Sequence, residues 1–235
     1  FMSDNRVDTT HVKKVSGSTI GLYLISLVNG ERTFSYWRNN SAATLLGQNI
    51  NDVENALKKQ DMIYFSGITL AILDTSSRNN LFACLKLARR AGKKIAFDPN
   101  LRPRLWSDKK EMCDVIMAGA NLSDIILPSF EDEATWFSDA NPKATLKRYQ
   151  KVGAEIVVVK NAGEPVSFIS NQGIGTHPVQ SIETVIDSTA AGDSFNSEIL
   201  VGILRNIPLS EAISNGANLA KKVIMGHGAL IKSDI

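Results

Sequence analysis

The stretch Asp187-Ser-Thr-Ala-Ala-Gly-Asp-Ser-Phe-Asn196 decides how this chain is read. It lies between a β-prone segment, Glu183-Thr-Val-Ile186, and an apolar run of helical character, Ile199-Leu-Val-Gly-Ile-Leu204. Small side chains at Ala190, Ala191 and Gly192 let a ligand approach the backbone closely. The first N–H groups of the helix expected over 194–204 have no intrahelical partner, so the turn suits an anion. Asp193 repels an anion, but it can take a proton from a hydroxyl that attacks a phosphate. An anion hole beside a base points to phosphoryl transfer. A tight turn with an aspartate capping a helix has the same residue types.

Working outward, the chain alternates strand and helix. Strands are expected at 62–65, 94–97, 125–127 and 155–159, and helices over 75–91, 109–120, 131–137 and 142–152. Leu81, Cys84, Leu85 and Ala88 share one face of the 75–91 segment. A less regular hairpin is expected over 166–169 and 175–179, and helices at 209–212 and 217–225 close the chain. This alternation argues for a parallel sheet covered on both faces. Ligands bind such sheets beyond the carboxyl ends of the strands. Asp98-Pro-Asn100, Pro128-Ser129 and Lys160-Asn161 all follow strand ends, and the Asp187–Asp193 turn is expected to follow a fourth. Nearer the start, Gly21-Leu-Tyr-Leu-Ile-Ser-Leu-Val28 and Arg32-Thr-Phe-Ser-Tyr-Trp-Arg38 flank Asn29-Gly30, a strong hairpin signal. Such a ribbon can cover a site rather than build the core.

The 235 residues suffice for one sizeable α/β domain. A net charge of +2 without blocks of one sign gives no reason to expect nucleic acid or an anionic membrane as a partner. Cys84 and Cys113 are too far apart for a metal or redox motif, and His11, His177 and His227 form no ligand cluster, so no protein metal site is expected. Reduced cysteines and the lack of a signal peptide or membrane span fit a cytoplasmic protein.

The Asp187–Phe195 stretch resembles the C-terminal signature of the ribokinase-like (PfkB) carbohydrate kinases. Asp98-Pro-Asn-Leu-Arg-Pro-Arg-Leu-Trp106, Thr33-Phe-Ser-Tyr-Trp-Arg38 and Tyr64-Phe-Ser-Gly-Ile-Thr-Leu-Ala-Ile-Leu73 are similar to the members that act on 2-keto-3-deoxygluconate. The resemblance covers nearly the whole chain. It implies a ribokinase-like, doubly wound and mostly parallel α/β sheet with helices on both faces and a small β-lid. Residues 18–40 would be part of the lid, 41–235 the kinase core, and 1–17 the end of a truncated N-terminal part. It implies ATP and Mg²⁺ as cofactors, a sugar acid as the small-molecule substrate, and a homo-oligomer formed through the lid.

The resemblance also implies roles. Asp193 would be the base, with Ala190, Ala191 and Gly192 presenting N–H groups to the γ-phosphate. Tyr23, Tyr36, Arg38 and Arg102 would hold the sugar acid together with Asp193. Guanidinium groups suit its carboxylate, which a neutral sugar lacks. Asn100, Ser129, Lys160, Ala162, Gly163 and Asn218 would face the nucleotide. Some positions depart from the family pattern. Its N-terminal glycine-rich sugar motif has no counterpart, its Asn-x-x-Glu reads Ser129-Phe-Glu-Asp132, and Ala190 replaces a glycine. Ser197-Glu198 stands where small residues are common. A fructokinase or another PfkB sugar kinase is the nearest alternative, and an inactive sugar- or nucleotide-binding module is the alternative from another class.

Overall fold

A computed structural model describes residues 1–28, 31–180 and 185–231, with the side chains of residues 25–28, 31–34 and 36 set aside. The Asn29-Gly30 turn and residues 183–184 of the β-prone segment therefore fall outside the described residues.

Among the described residues the strands form two sheets. Strands β1 (Leu22–Val28) and β2 (Glu31–Trp37) form an antiparallel ribbon in which Tyr23 pairs with Tyr36. The main sheet runs β3 (Met62–Ser66), β4 (Lys94–Asp98), β5 (Ile125–Ile126), β6 (Ile156–Val159), β7 (Val166–Ser170) and β8 (Gly173–His177), in that spatial order. The first four strands are parallel and the last two antiparallel. Parallel neighbours need long crossovers, which here are helical. The helices are α1 (Ile50–Leu57), α2 (Gly67–Ile72), α3 (Thr75–Arg90), α4 (Lys109–Asn121), α5 (Phe130–Phe137), α6 (Pro142–Lys151), α7 (Ala191–Leu204) and α8 (Leu209–Ile224).

Side chains alternate across a strand, and the alternation builds two cores. Ile63, Phe65, Ile95, Phe97, Ile126, Val157 and Val159 face α1–α6, where Leu85, Ile116 and Tyr149 are fully buried. Ala96, Ile125, Leu127 and Val158 face Phe195, Ile199, Ala212 and Ile213 of α7 and α8. Helices therefore cover both faces, as the sequence pattern leads one to expect. Asp74, Asp108 and Asn141 cap α3, α4 and α6 by accepting from Ser77 N, Glu111 N and Ala144 N.

Some expectations need correction. Helices α1 and α2 were not foreseen. The last two helical segments are one continuous helix, α8, because Gly216 is a close-approach site and not a break. A Cβ there would sit 2.9 Å from the Phe195 carbonyl oxygen of α7. Helix α7 begins three residues earlier than expected, at Ala191. Val185 and Ile186 form no strand: the N–H groups of Ile186 and Asp187 both donate to the Ile224 carbonyl, at 2.9 and 3.1 Å. The second strand of the late hairpin ends at His177.

Beneath α5 and α6 lies a buried charge network. Arg148 donates to Glu133 at 2.5 Å and to Asp139 at 2.6 Å, and the Tyr149 hydroxyl donates to Glu133 at 3.0 Å. Glu133 is wholly buried. Burial pushes its carboxyl up to about 7 against the opposing pull of Arg148 and Tyr149.

Candidate active site

The parallel strands deliver polar groups at their carboxyl ends. Asp98 ends β4, Ser129 follows β5, and Lys160 follows β6 and is bridged to Ser129. Helix α7 closes the site from the other face. Its entry is shaped by Asp187, whose carboxylate accepts from Thr189 N (2.9 Å), Thr189 Oγ1 (2.6 Å) and Gly228 N (3.0 Å). Ala190 then adopts a left-handed conformation, φ 62°, that L-residues rarely take. This turns the chain abruptly into α7, and no side chain caps the helix. Ala191, Gly192 and Asp193 are consequently its first three residues, where the helix dipole favours negative charge; the Ala191 N–H donates to the Ser188 carbonyl at 3.3 Å, and the Gly192 N–H is the next in the turn.

A cavity of about 710 Å³ opens in front of this turn. Ala191 and Gly192 line it, as do Ser129, Lys160, Ala162, Gly163 and Asn218. Five of the six expected nucleotide-side residues are thus brought together with two of the three expected anion-hole residues. Asn100 does not line the cavity; it follows Pro99 in a left-handed conformation, φ 30°. Val166, Val179, Phe195 and Ile224 add an apolar wall, the kind of surface that takes a planar base.

Lys160 is 12% exposed, and a Cβ on Gly192 would lie 3.9 Å from its ammonium. The ammonium therefore stands beside the opening turn of α7. It donates to Asn196 Oδ1 at 2.9 Å, with Asp98 Oδ2 at 3.5 Å. Desolvation of the Tyr64 hydroxyl and the nearby charges of Asp98 and Asp193 raise it above the ordinary tyrosine range, although the residue as a whole is 43% exposed. Asp193 and Tyr64 thus share one electrostatic neighbourhood. Asp132 lies near Asp98 and Arg102; burial raises its carboxyl above the ordinary range while Arg102 opposes this.

The expected sugar-side residues are divided between the sheets. Tyr23 and Tyr36 pair across the ribbon, and Arg38 follows β2. Tyr23 is 45% exposed, while the Tyr36 side chain falls outside the described set. Arg102 and Asp193 are exposed residues on the main-sheet side, with Arg102 in a left-handed turn, φ 45°, just past β4. Sequence reasoning missed Tyr64, Asp98 and Asn196 as site residues. Asp98 stood in a cluster already marked by its strand end, and Asn196 stood three residues beyond Asp193. Their mutual contact had no local signal.

An α/β fold with an anion-ready helix turn, a carboxylate on it and a nucleotide-sized cavity defines a phosphate-transferring class of protein. Residues 1–235 match the pfkB family of carbohydrate kinases, and the chain belongs to that family. It is 39% identical over 217 residues to the 2-dehydro-3-deoxygluconokinase of Haemophilus influenzae, a match that takes in 90% of this chain and 69% of the relative. The crystal structure of a PfkB protein from Polaromonas sp. JS666 is similar with a TM-score of 0.84 at 27% identity, over 96% of this chain and 74% of that one. That of a fructokinase with bound ATP from Xylella fastidiosa shares the fold, with a TM-score of 0.82 at 22% identity over 97% and 74%. Among the described residues no helix is long and apolar enough to cross a membrane.

Proposed function

We propose that this chain transfers the γ-phosphate of ATP to the terminal hydroxyl of 2-keto-3-deoxygluconate, giving the 6-phospho product. The observation that carries the reading is Asp193 in the first turn of α7, beside uncapped N–H groups that open on a cavity holding Lys160. The similarity to 2-dehydro-3-deoxygluconokinases supports the choice of sugar acid.

The nucleotide would lie along Asn218, Ala162, Gly163 and Ser129, with its terminal phosphates toward Lys160 and the N–H groups of Ala191 and Gly192. Asn100, off the cavity wall, would contribute from the β4 loop. Asp193 would take the proton of the attacking hydroxyl, and the N–H groups from Ala190 to Gly192 would meet charge that shifts onto the phosphate oxygens. Arg38 and Arg102 would pair with the substrate carboxylate, and Tyr23 and Tyr36 would flank the sugar chain. In this reading 18–40 is a lid over a core formed by 41–235.

Magnesium fits as a companion of ATP, not as a resident of a protein cage. Among the described residues no three carboxylate, imidazole or thiol ligands gather. Phosphate oxygens and water would hold the ion, with at most one or two carboxylates such as Glu131 on the cavity wall. When bound it neutralises phosphate charge during transfer. With ATP as the donor, this reading places the chain in the cytoplasm. The exposed apolar residues Leu22, Leu24 and Trp37 on the ribbon support a homo-oligomer built through it.

The test is ADP release with Mg·ATP and 2-keto-3-deoxygluconate, fructose or ribose. Turnover with the keto acid alone, falling about 10²–10⁴-fold in Asp193→Asn, is expected. Turnover with fructose or ribose in its place refutes the sugar-acid reading, and ligand binding without turnover refutes the kinase reading.

A further inference from the structure

We infer that Asn196 is a positioning residue whose amide stands between Lys160 and Asp98 and keeps the Lys160 ammonium directed at a nucleotide's terminal phosphates. The inference rests on reading the cavity as a nucleotide site.

Asn196 is 1% exposed and lies one turn beyond Asp193 on α7. Its Oδ1 accepts from Lys160 Nζ at 2.9 Å. Its Nδ2 donates to Asp98 Oδ2 at 2.8 Å and faces the Tyr64 hydroxyl oxygen at 3.3 Å. An ammonium can only donate and a carboxylate only accept. The flipped amide would set NH₂ against NH₃⁺ and C=O against a carboxylate, so its orientation is determined by its partners. The direct Lys160–Asp98 separation is 3.5 Å, well beyond the 2.7–2.9 Å of a strong charge-assisted bond. The close partner of the ammonium is thus the neutral amide.

This arrangement has a chemical consequence. Without the amide, the Lys160–Asp98 ion pair, 3.5 Å as it stands, would tighten and draw the ammonium away from the α7 turn. A carboxylate at 196 would surround it with two anions and weaken its pull on a third. A neutral acceptor fixes the ammonium and leaves its charge directed at the cavity it lines. Because Asn196 and Asp193 share one helix, the base and the cation holder move as one body.

The experiment is calorimetric affinity for AMP and for Mg·ATP, which differ in the phosphates Lys160 would meet. Asn196→Leu is expected to weaken ATP about tenfold and leave AMP unchanged, and to add nothing in a Lys160→Met background. Equal losses for AMP and ATP, or the same loss in the Lys160→Met background, overturn the inference. Where Asn196→Leu does not fold, the exchange pair decides. Asn196→Asp alone should weaken ATP, and Asp98→Asn added to it should restore most of the affinity; no restoration overturns it. A wild-type chain that binds ATP no better than AMP also overturns it. A wild-type chain with the expected ATP pattern but no turnover of any sugar acid defeats the substrate reading and leaves the assignment of Asn196 standing.

Discussion

Gly67→Ala tests whether the β3 and β4 strand ends are as closely fitted as they stand. Gly67 opens α2 directly after β3, where Ser66 is in register with Asp98. An added Cβ would lie 1.8 Å from the Pro99 carbonyl oxygen and 2.7 Å from Ile116 Cδ1. Close carbon–oxygen contacts stop at about 3.3 Å, so something must move by roughly 1.5 Å. The obstacle is backbone, which cannot rotate out of the way as a side chain can. Overpacking of this kind costs about 3 kcal/mol or more. At about 2–4 °C per kcal/mol for a chain of this size, Tm should fall by roughly 6–12 °C. Scanning calorimetry reads the shift, with Gly163→Ala as the stability control because a Cβ there meets nothing within 4 Å. The displaced loop directly follows Asp98 at the end of β4, so ATP affinity should drop as well. A Gly67→Ala protein that melts within about 2 °C of the parent refutes the packing argument.

Other expectations are as direct. Native Glu133 keeps its proton up to about pH 7, whereas the unfolded chain loses it near the ordinary 4.5. The native state therefore binds more protons in that window, and stability should fall by up to about 3 kcal/mol as pH rises through it. Denaturant titrations of wild type and Glu133→Gln from pH 4.5 to 8 check this, the variant showing the flatter profile; a rise with pH in the wild type, lost in the variant, contradicts it. Arg102→Gln should raise KM for the sugar acid about tenfold and leave KM for ATP unchanged, read by coupled ADP release. Ala190→Gly should relieve the left-handed strain and raise stability by up to about 1 kcal/mol by urea unfolding, and a loss of stability would speak against strain at that residue.

Local signals carried much of the fold. The 81, 84, 85 and 88 spacing needs only the helical repeat, and the buried runs of β4 and β6 need only a sheet covered twice. The loops after those strands were legible because polar residues interrupt apolar runs at the points where an α/β sheet binds ligands. Contacts distant in sequence were not. Val185 and Ile186 have strand-forming side chains, yet their segment is anchored by α8 through one carbonyl. Gly216 looks like a helix break until the backbone of α7 is placed against it. Tyr64, Asp98 and Asn196 carry no mutual mark in sequence, since 132 and 98 residues separate the first two from the third. The Asn100 assignment came from resemblance alone, and the cavity wall does not include it.

The sheet grows in chain order from β3 to β8, so each strand finds its partner in the strand just made. Pairing with the preceding strand closes a shorter loop than pairing with any earlier one, and so loses less loop entropy. The Lys160–Asn196–Asp98 junction follows the opposite schedule. It needs α7 placed across the sheet and closes loops of 36 and 98 residues at one point. During refolding, helical signal and core fluorescence should therefore recover before the capacity to bind nucleotide, which would mark arrival of the last helix pair and not the collapse of the chain.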